Sequence, residues 1–185
     1  MLEFEFKTKR LWVRPLEPTD YEACMRTRGR SQLSKAEMEG GSLAVSLSDR
    51  AEFGRMTDYR LDQMLEDRSY RFGVFVARTG EFIGEVMLFD VLRGNRQMAS
   101  IGAIVHTAYR RQGYASEALR GLIRFGFRRL HLHRIEGQAR PENAMSIHMC
   151  KSIGFQEEGT SAGRFKEGGR WFDALILAMV RGRKR

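Results

Sequence analysis

The stretch from Ile101 to Leu130 limits what this chain can fold into more than any other. The apolar run Ile101-Gly102-Ala103-Ile104-Val105 reads as a buried strand. Ala118, Leu119, Leu122, Ile123, Phe125 and Phe127 recur at the spacing of a helix with one apolar face. Between strand and helix lies a basic, glycine-bearing turn: Arg110, Arg111, Gln112, Gly113, Tyr114 and Ala115, with Ser116 opening the helix. It has the form Q/R-x-x-G-x-G/A, which places small residues where backbone must come close to something. The first amides of a helix have no partner inside it, and the helix dipole makes that end positive. A turn of this kind is a cradle for an anion, best matched to a phosphate or pyrophosphate. Many helices also begin after such a turn and bind nothing, so the neighbourhood decides.

The chain in order supplies that neighbourhood. Leu2, Phe4 and Phe6 alternate with Glu3, Glu5 and Lys7, and the strand continues through Leu11, Trp12 and Val13 to Pro15. Pro18-Thr19-Asp20 opens a helix over Tyr21 to Arg28, with Gly29 as its stop. Ser31 to Leu47 reads as loop. Ser48-Asp49 caps a second helix whose apolar face is Phe53, Met56, Leu61, Met64 and Leu65. Arg71 to Arg78, the turn Thr79-Gly80-Glu81, and Phe82 to Leu92 form a hairpin, and a further strand runs from Met98 to Val105. Gly102 inside that strand marks a bulge or the close approach of another backbone. After the signature helix, Leu132 to Ala139 reads as a strand. Pro141-Glu142-Asn143 starts a helix that Gly154 ends, and Phe155 to Val180 reads as two strands joined by a loop holding Gly163, Gly168 and Gly169. The order β-α-α-β-β-β-α-β-α-β-β argues for an α+β fold, with about seven strands in a mixed, mostly antiparallel sheet and about four helices.

At 185 residues, with no linker or low-complexity segment, the chain is expected to be one domain spanning 1–185, with 181–185 a basic, frayed tail. No run approaches membrane-spanning length, and the alternating N-terminus is unlike a signal peptide. Two cysteines, Cys24 and Cys150, are too few for a disulfide framework, so a soluble cytoplasmic protein is expected. The formal charge of +9 favours anionic partners. Nucleic acid is disfavoured as a direct substrate, because no cluster of aromatics stands out among the basic residues. The histidines show no ligand spacing, and no metal is implied.

Asn143 to Phe155 reads NAMSIHMCKSIGF, and Arg10 to Leu16 reads RLWVRPL. With the strand, basic turn and helix, these segments resemble the GCN5-related N-acetyltransferases, the GNAT family, and most closely its RimJ/RimL-like branch of ribosomal-protein-alanine N-acetyltransferases. The resemblance covers nearly the whole chain. It implies acetyl-coenzyme A (acetyl-CoA) as cosubstrate and an amine as acceptor, with loops of the 31–47 region walling the acceptor side. In that fold the strand carrying Ile104 and Val105 splays from its neighbour, and their backbone groups partner the pantetheine arm. Arg110, Arg111, Gln112, Gly113, Tyr114, Ala115 and Ser116 would hold the pyrophosphate, and Asn143 would bond the pantetheine.

Acyl transfer from a thioester needs a neutral amine, donors for the developing oxyanion, and a proton for the departing thiolate. The family often places a tyrosine where this chain has Cys150; the resemblance gives the thiol-side role to Ser146 instead. For Cys150 the favoured reading is a small buried hydrophobe. For the base, Glu85 and Asp173 are candidates beside water, each with an ion pair as its alternative. His106 reads as a local hydrogen-bonding residue. The leading expectation is transfer to a protein N-terminal amine by direct attack in a ternary complex. The alternatives are a small-molecule amine acceptor, a larger acyl group, or a non-catalytic module holding coenzyme A (CoA) or RNA. Apolar residues of the second helix would serve equally as core or as a homodimer face.

Overall fold

The computed structural model describes residues 4–29 and 49–182. The expected loop of Ser31 to Leu47 and the last three residues of the basic tail lie outside them. In chain order the elements are β1 (Phe6–Lys7), β2 (Leu11–Arg14), α1 (Tyr21–Gly29), α2 (Arg50–Leu65), β3 (Tyr70–Val76), β4 (Phe82–Leu92), β5 (Met98–Val105), α3 (Tyr114–Arg128), β6 (Arg134–Ala139), α4 (Ala144–Ile153), β7 (Gln156–Glu167) and β8 (Arg170–Val180). The strands follow the order β1-β2-β3-β4-β5-β6-β8-β7 in an α+β fold with a mixed sheet. β5 and β6 are parallel, whereas the β1/β2, β2/β3, β6/β8 and β7/β8 pairs are antiparallel.

The count is eight strands where the sequence suggested about seven. The difference lies at the N-terminus, where the single expected strand folds back on itself. The Thr8 amide donates to the Leu11 carbonyl at 2.9 Å and the Leu11 amide to the Thr8 hydroxyl at 3.1 Å, which closes a tight turn between β1 and β2. Gly163 is a second correction. It lies within β7, beside a register shift between Ser161 and Phe165, so the β7–β8 connection is Gly168-Gly169 alone. Both glycines have positive φ, 53° and 81°, which suits a tight hairpin turn.

The chain divides into two compact units, each described by itself: Met1–Met87 with Ala103–Leu122, and Leu88–Gly102 with Ile123–Arg185. In the first, Leu16, Cys24, Phe53, Phe75 and Phe82 form a buried cluster, with Tyr21 and Met56 packed against it. The motif RLWVRPL explains itself here. Arg14 grips Asp20 through two 2.7 Å hydrogen bonds and stacks over Phe75 at 4.3 Å, while the Glu17 amide donates to the same carboxylate at 2.8 Å. The motif thereby fixes the start of α1.

α2 is rotated from the expected face. Phe53, Thr57 and Met64 are buried, but Leu61 and Leu65 are 42% and 66% exposed. The cause is Arg60, which shares the buried stripe at the i+3 and i+7 spacing from Thr57 and Phe53 and must reach a buried carboxylate on β4. Asp49 caps this helix as expected, accepting from the Ala51 amide at 2.9 Å.

In the second unit β6 is central, paired with β5 on one side and β8 on the other. Gly126 and Gly137 leave space for their neighbours. A methyl on Gly126 would stand 3.1 Å from Ile135, and one on Gly137 would stand 3.2 Å from the Cys150 sulfur. Cys150 is therefore packing material against β6, and burial pushes its thiol up from the ordinary value. The two buried cysteines are both free.

Candidate active site

The basic turn lies in the first unit and is held from an unexpected quarter. Glu117, in the first turn of α3, accepts from the Thr8 hydroxyl at 2.6 Å, the Arg10 amide at 2.8 Å and Arg10 Nε at 2.6 Å. Arg10 also donates to the Gln112 carbonyl at 3.0 Å and stacks over the Tyr114 ring at 4.4 Å. The β1–β2 turn thus clamps the head of α3 and the loop before it. Burial pushes the Glu117 carboxyl up, but the bonds from Thr8 and Arg10 outweigh it and hold the group below the usual carboxylate range. Thr8 and Glu117 were not singled out from sequence, and Arg10 was read only as the first residue of the RLWVRPL motif. An acidic residue in the first turn of a helix was the one visible sign, and its partners lie more than a hundred residues away.

The turn itself is sharply bent. Arg111 has φ 61° and Gly113 has φ 78°, both in the left-handed region. A non-glycine residue there is uncommon, and such residues concentrate at functional sites. The Glu117 amide is the first to close onto the helix, on the Gly113 carbonyl at 3.0 Å. The amides of Tyr114, Ala115 and Ser116 precede it and face out of the helix end. Arg111, Gln112 and Gly113 are exposed, and Arg110 is half-buried with its Nε donating to the Val105 carbonyl at 2.9 Å. Backbone donors and two guanidiniums around a glycine are a donor set suited to a pyrophosphate.

β5 leads into this turn. Its parallel ladder with β6 covers Met98–Ile101 against Arg134–Gly137, and the strand runs on to Val105 beyond the last paired residue. The close approach expected at Gly102 is shown at Gly84 of β4. Gly84 has φ 154°, and a Cβ there would lie 2.0 Å from the Ile104 carbonyl oxygen and 2.9 Å from the Val105 Cα. The His106 amide donates to the Ile83 carbonyl at 3.0 Å, and the His106 ring meets Phe82 edge-on at 5.7 Å. The end of β5 is therefore fixed against β4 through Ile83 and Gly84.

Glu85 is fully buried on β4. Arg60 Nη1 lies 2.6 Å from one of its oxygens and Arg71 Nη1 lies 3.5 Å from the other. Burial pulls the Arg71 guanidinium below its ordinary value, with Glu85 opposing that shift and Arg60 reinforcing it. This is the ion-pair arrangement that the sequence held open for Glu85.

The other candidates belong to the second unit. Asn143 caps α4, its Oδ1 accepting from the Ser146 amide at 3.1 Å, and Gly154 ends the helix with φ 110°. That use of Oδ1 leaves the Asn143 carboxamide NH2 as its donor side. Ser146 is half-buried at the third helical position, and its hydroxyl has no protein partner among the described residues. Asp173 is exposed and accepts from the Gly163 amide at 2.8 Å.

Residues 10–156 match the Acetyltransferase (GNAT) domain. The chain is 32% identical over 176 residues to the protein named Probable N-acetyltransferase YjcK from Bacillus subtilis (strain 168), covering 94% of this chain and 96% of that one. A solved structure from Vibrio cholerae, assigned as a ribosomal-protein-serine acetyltransferase, aligns with a TM-score of 0.79 at 27% identity, covering 97% of this chain and 99% of that one. Mycobacterium smegmatis RimJ, solved in complex with CoA-disulfide, shares the fold with a TM-score of 0.76 at 24% identity, covering 92% of this chain and 82% of that one. The match over most of the chain and the full-length relative agree with the strand, bent turn and helix described above: this chain belongs to the GNAT family and is an N-acetyltransferase.

Proposed function

We propose that this enzyme moves an acetyl group from acetyl-CoA to the N-terminal amine of a protein by direct attack in a ternary complex. The observation that carries the donor side is the bent turn, in which Arg111 and Gly113 take left-handed backbone and the first amides of α3 face outward. Those amides, with Arg110 and Arg111, would hold the pyrophosphate. The edge of β5 beyond Ile101, at Ile104 and Val105, would run alongside the pantetheine arm. The name of the Vibrio cholerae neighbour and the CoA bound to the RimJ neighbour support this reading.

Acetyl-CoA supplies an acyl group already activated as a thioester. The neutral amine attacks the acetyl carbonyl carbon, a C–N bond forms, the C–S bond breaks, and the amine's extra proton leaves to water. In this scheme the Ser146 hydroxyl hydrogen-bonds to the departing thiolate and stays protonated, the thiolate takes up a proton from water to leave as the thiol, and the Asn143 NH2 group donates to the pantetheine. Glu85 acts as an anchor instead of a base, because protonating it would leave two buried guanidiniums short of their counter-charge. The two free, buried cysteines suit a reducing, cytoplasmic setting.

Release of free CoA, followed with an aromatic disulfide reagent, tests the proposal. Peptides with N-terminal Ser or Ala are compared with spermidine and an aminoglycoside. A kcat/KM at least about tenfold higher for a peptide is expected, and S146A should lower kcat by about 10–100-fold with little change in the KM for acetyl-CoA. Faster turnover of spermidine or the aminoglycoside would overturn the acceptor assignment. No turnover of any amine would overturn the catalytic reading of the site.

A further inference from the structure

The tip of the β7–β8 hairpin gathers a group that sequence order keeps apart. Register pairs Phe165 with Phe172, Lys166 with Trp171 and Glu167 with Arg170. Lys166 Nζ lies 5.8 Å from the centre of the Trp171 ring, and that indole is 64% exposed. Arg164, Lys166 and Arg170 are all exposed. Of the carboxylates nearby, Glu167 pairs with Arg140, and the exposed Asp173 accepts the Gly163 amide. No carboxylate among the described residues pairs with Lys166 or Arg170. Arg140 also stacks over Phe172 at 3.8 Å, which ties this end of the hairpin to the connection between β6 and α4.

From this arrangement we infer that the hairpin tip is a docking surface for single-stranded nucleic acid, separate from the acetyl-transfer chemistry. The argument is one of complementarity. An exposed indole with Lys166 beside it, on a hairpin tip that also carries exposed Arg164 and Arg170, offers a face on which a base stacks and charges that meet the phosphates of the strand. An acidic protein would meet the cations but leave the indole without a stacking partner. A lipid surface would call for several exposed apolar side chains, whereas Trp171 is the one large exposed hydrophobic among the described residues of this hairpin. The Gly168-Gly169 turn keeps the tip narrow, since neither glycine carries a side chain to shield the ring. The chain's surplus of +9 steers an anionic strand toward the molecule as a whole, and the indole gives the tip its particular affinity.

The test uses the full-length enzyme and a fluorescently labelled 12-mer of uridine, read by anisotropy. The variants are W171A, W171F and K166E/R170E, all at exposed positions outside the acetyl-transfer site. The native protein is expected to bind with a log–log salt slope of about −2, as three phosphate contacts on a single strand give. W171A should weaken binding about tenfold and W171F should recover most of it, while K166E/R170E should abolish it. Turnover of the best peptide acceptor should stay unchanged in all three. Binding that survives both W171A and K166E/R170E would overturn the inference. So would equal affinity for polyglutamate of the same length, or preference for phosphatidylserine vesicles, since either would make the surface a site for a different partner.

Discussion

Gly84 has no room for a side chain. A methyl group there would sit 2.0 Å from the Ile104 carbonyl, at a backbone φ of 154° that other residues rarely adopt. G84A is expected to lower stability by about 2–4 kcal/mol in urea unfolding. It should also weaken CoA binding, because the strand edge it displaces belongs to the proposed site. Glu117 makes a different prediction, about pH. Its folded-state carboxyl is held below the ordinary value of about 4.3. The stability it contributes is therefore present above the unfolded value and is lost as pH falls through the lower, folded one. E117Q is expected to cost about 1–2 kcal/mol at pH 7, and the gap from the native protein should close below about pH 4. Urea titrations at pH 7 and pH 3 check this, and a gap of constant size would show that the loss is packing instead of charge. Among single residues, the places of Ser146 near the start of α4 and of the basic turn before α3 were legible from sequence because motifs carry them, while the roles proposed for them rest on the resemblance. Thr8 and Glu117 were not, and neither was the role of Arg10 as their partner, since the three meet only when the fold joins them.

At the level of elements, the helix and strand periods in the sequence located α1, α2, α3, α4, β3, β4 and β5 to within a residue or two. What the periods missed has physical causes. A two-residue strand such as β1 is too short to carry a pattern, and the turn after it is held by the distant Glu117 as well as by its own Thr8–Leu11 bonds. In α2 hydropathy put Leu61 and Leu65 inside, whereas a buried ion pair set the helix's rotation by drawing Arg60 inward to Glu85. Breaking that pair from the acidic side leaves two arginines without their counter-charge, so E85Q should destabilise the fold by about 3 kcal/mol. If Glu85 is an anchor, the limb of the kcat/KM–pH profile that reports the base will keep its midpoint in E85Q, measured at a temperature where the variant stays folded. Loss of that limb would give Glu85 the proton-accepting role instead.

For the molecule as a whole, the order of elements was enough to reach the fold, and the basic turn with the segments RLWVRPL and NAMSIHMCKSIGF was enough to reach the family, because all of these are written in local patterns. The acceptor was not legible. A fold of this kind serves many amines, so fold and family leave it open. The surplus of positive charge belongs to the same scale, and the structure gives part of it a specific place, at the exposed hairpin tip. The central claim is that the bent turn before α3 holds the pyrophosphate of the cosubstrate. Calorimetric titration of acetyl-CoA into the native enzyme and into R111E/G113D measures it directly. One binding event is expected in the native protein, weakened at least about tenfold in a variant whose circular dichroism is unchanged. Equal binding by the two proteins, or none by the native one, would contradict the claim and leave the turn as a connection between a strand and a helix.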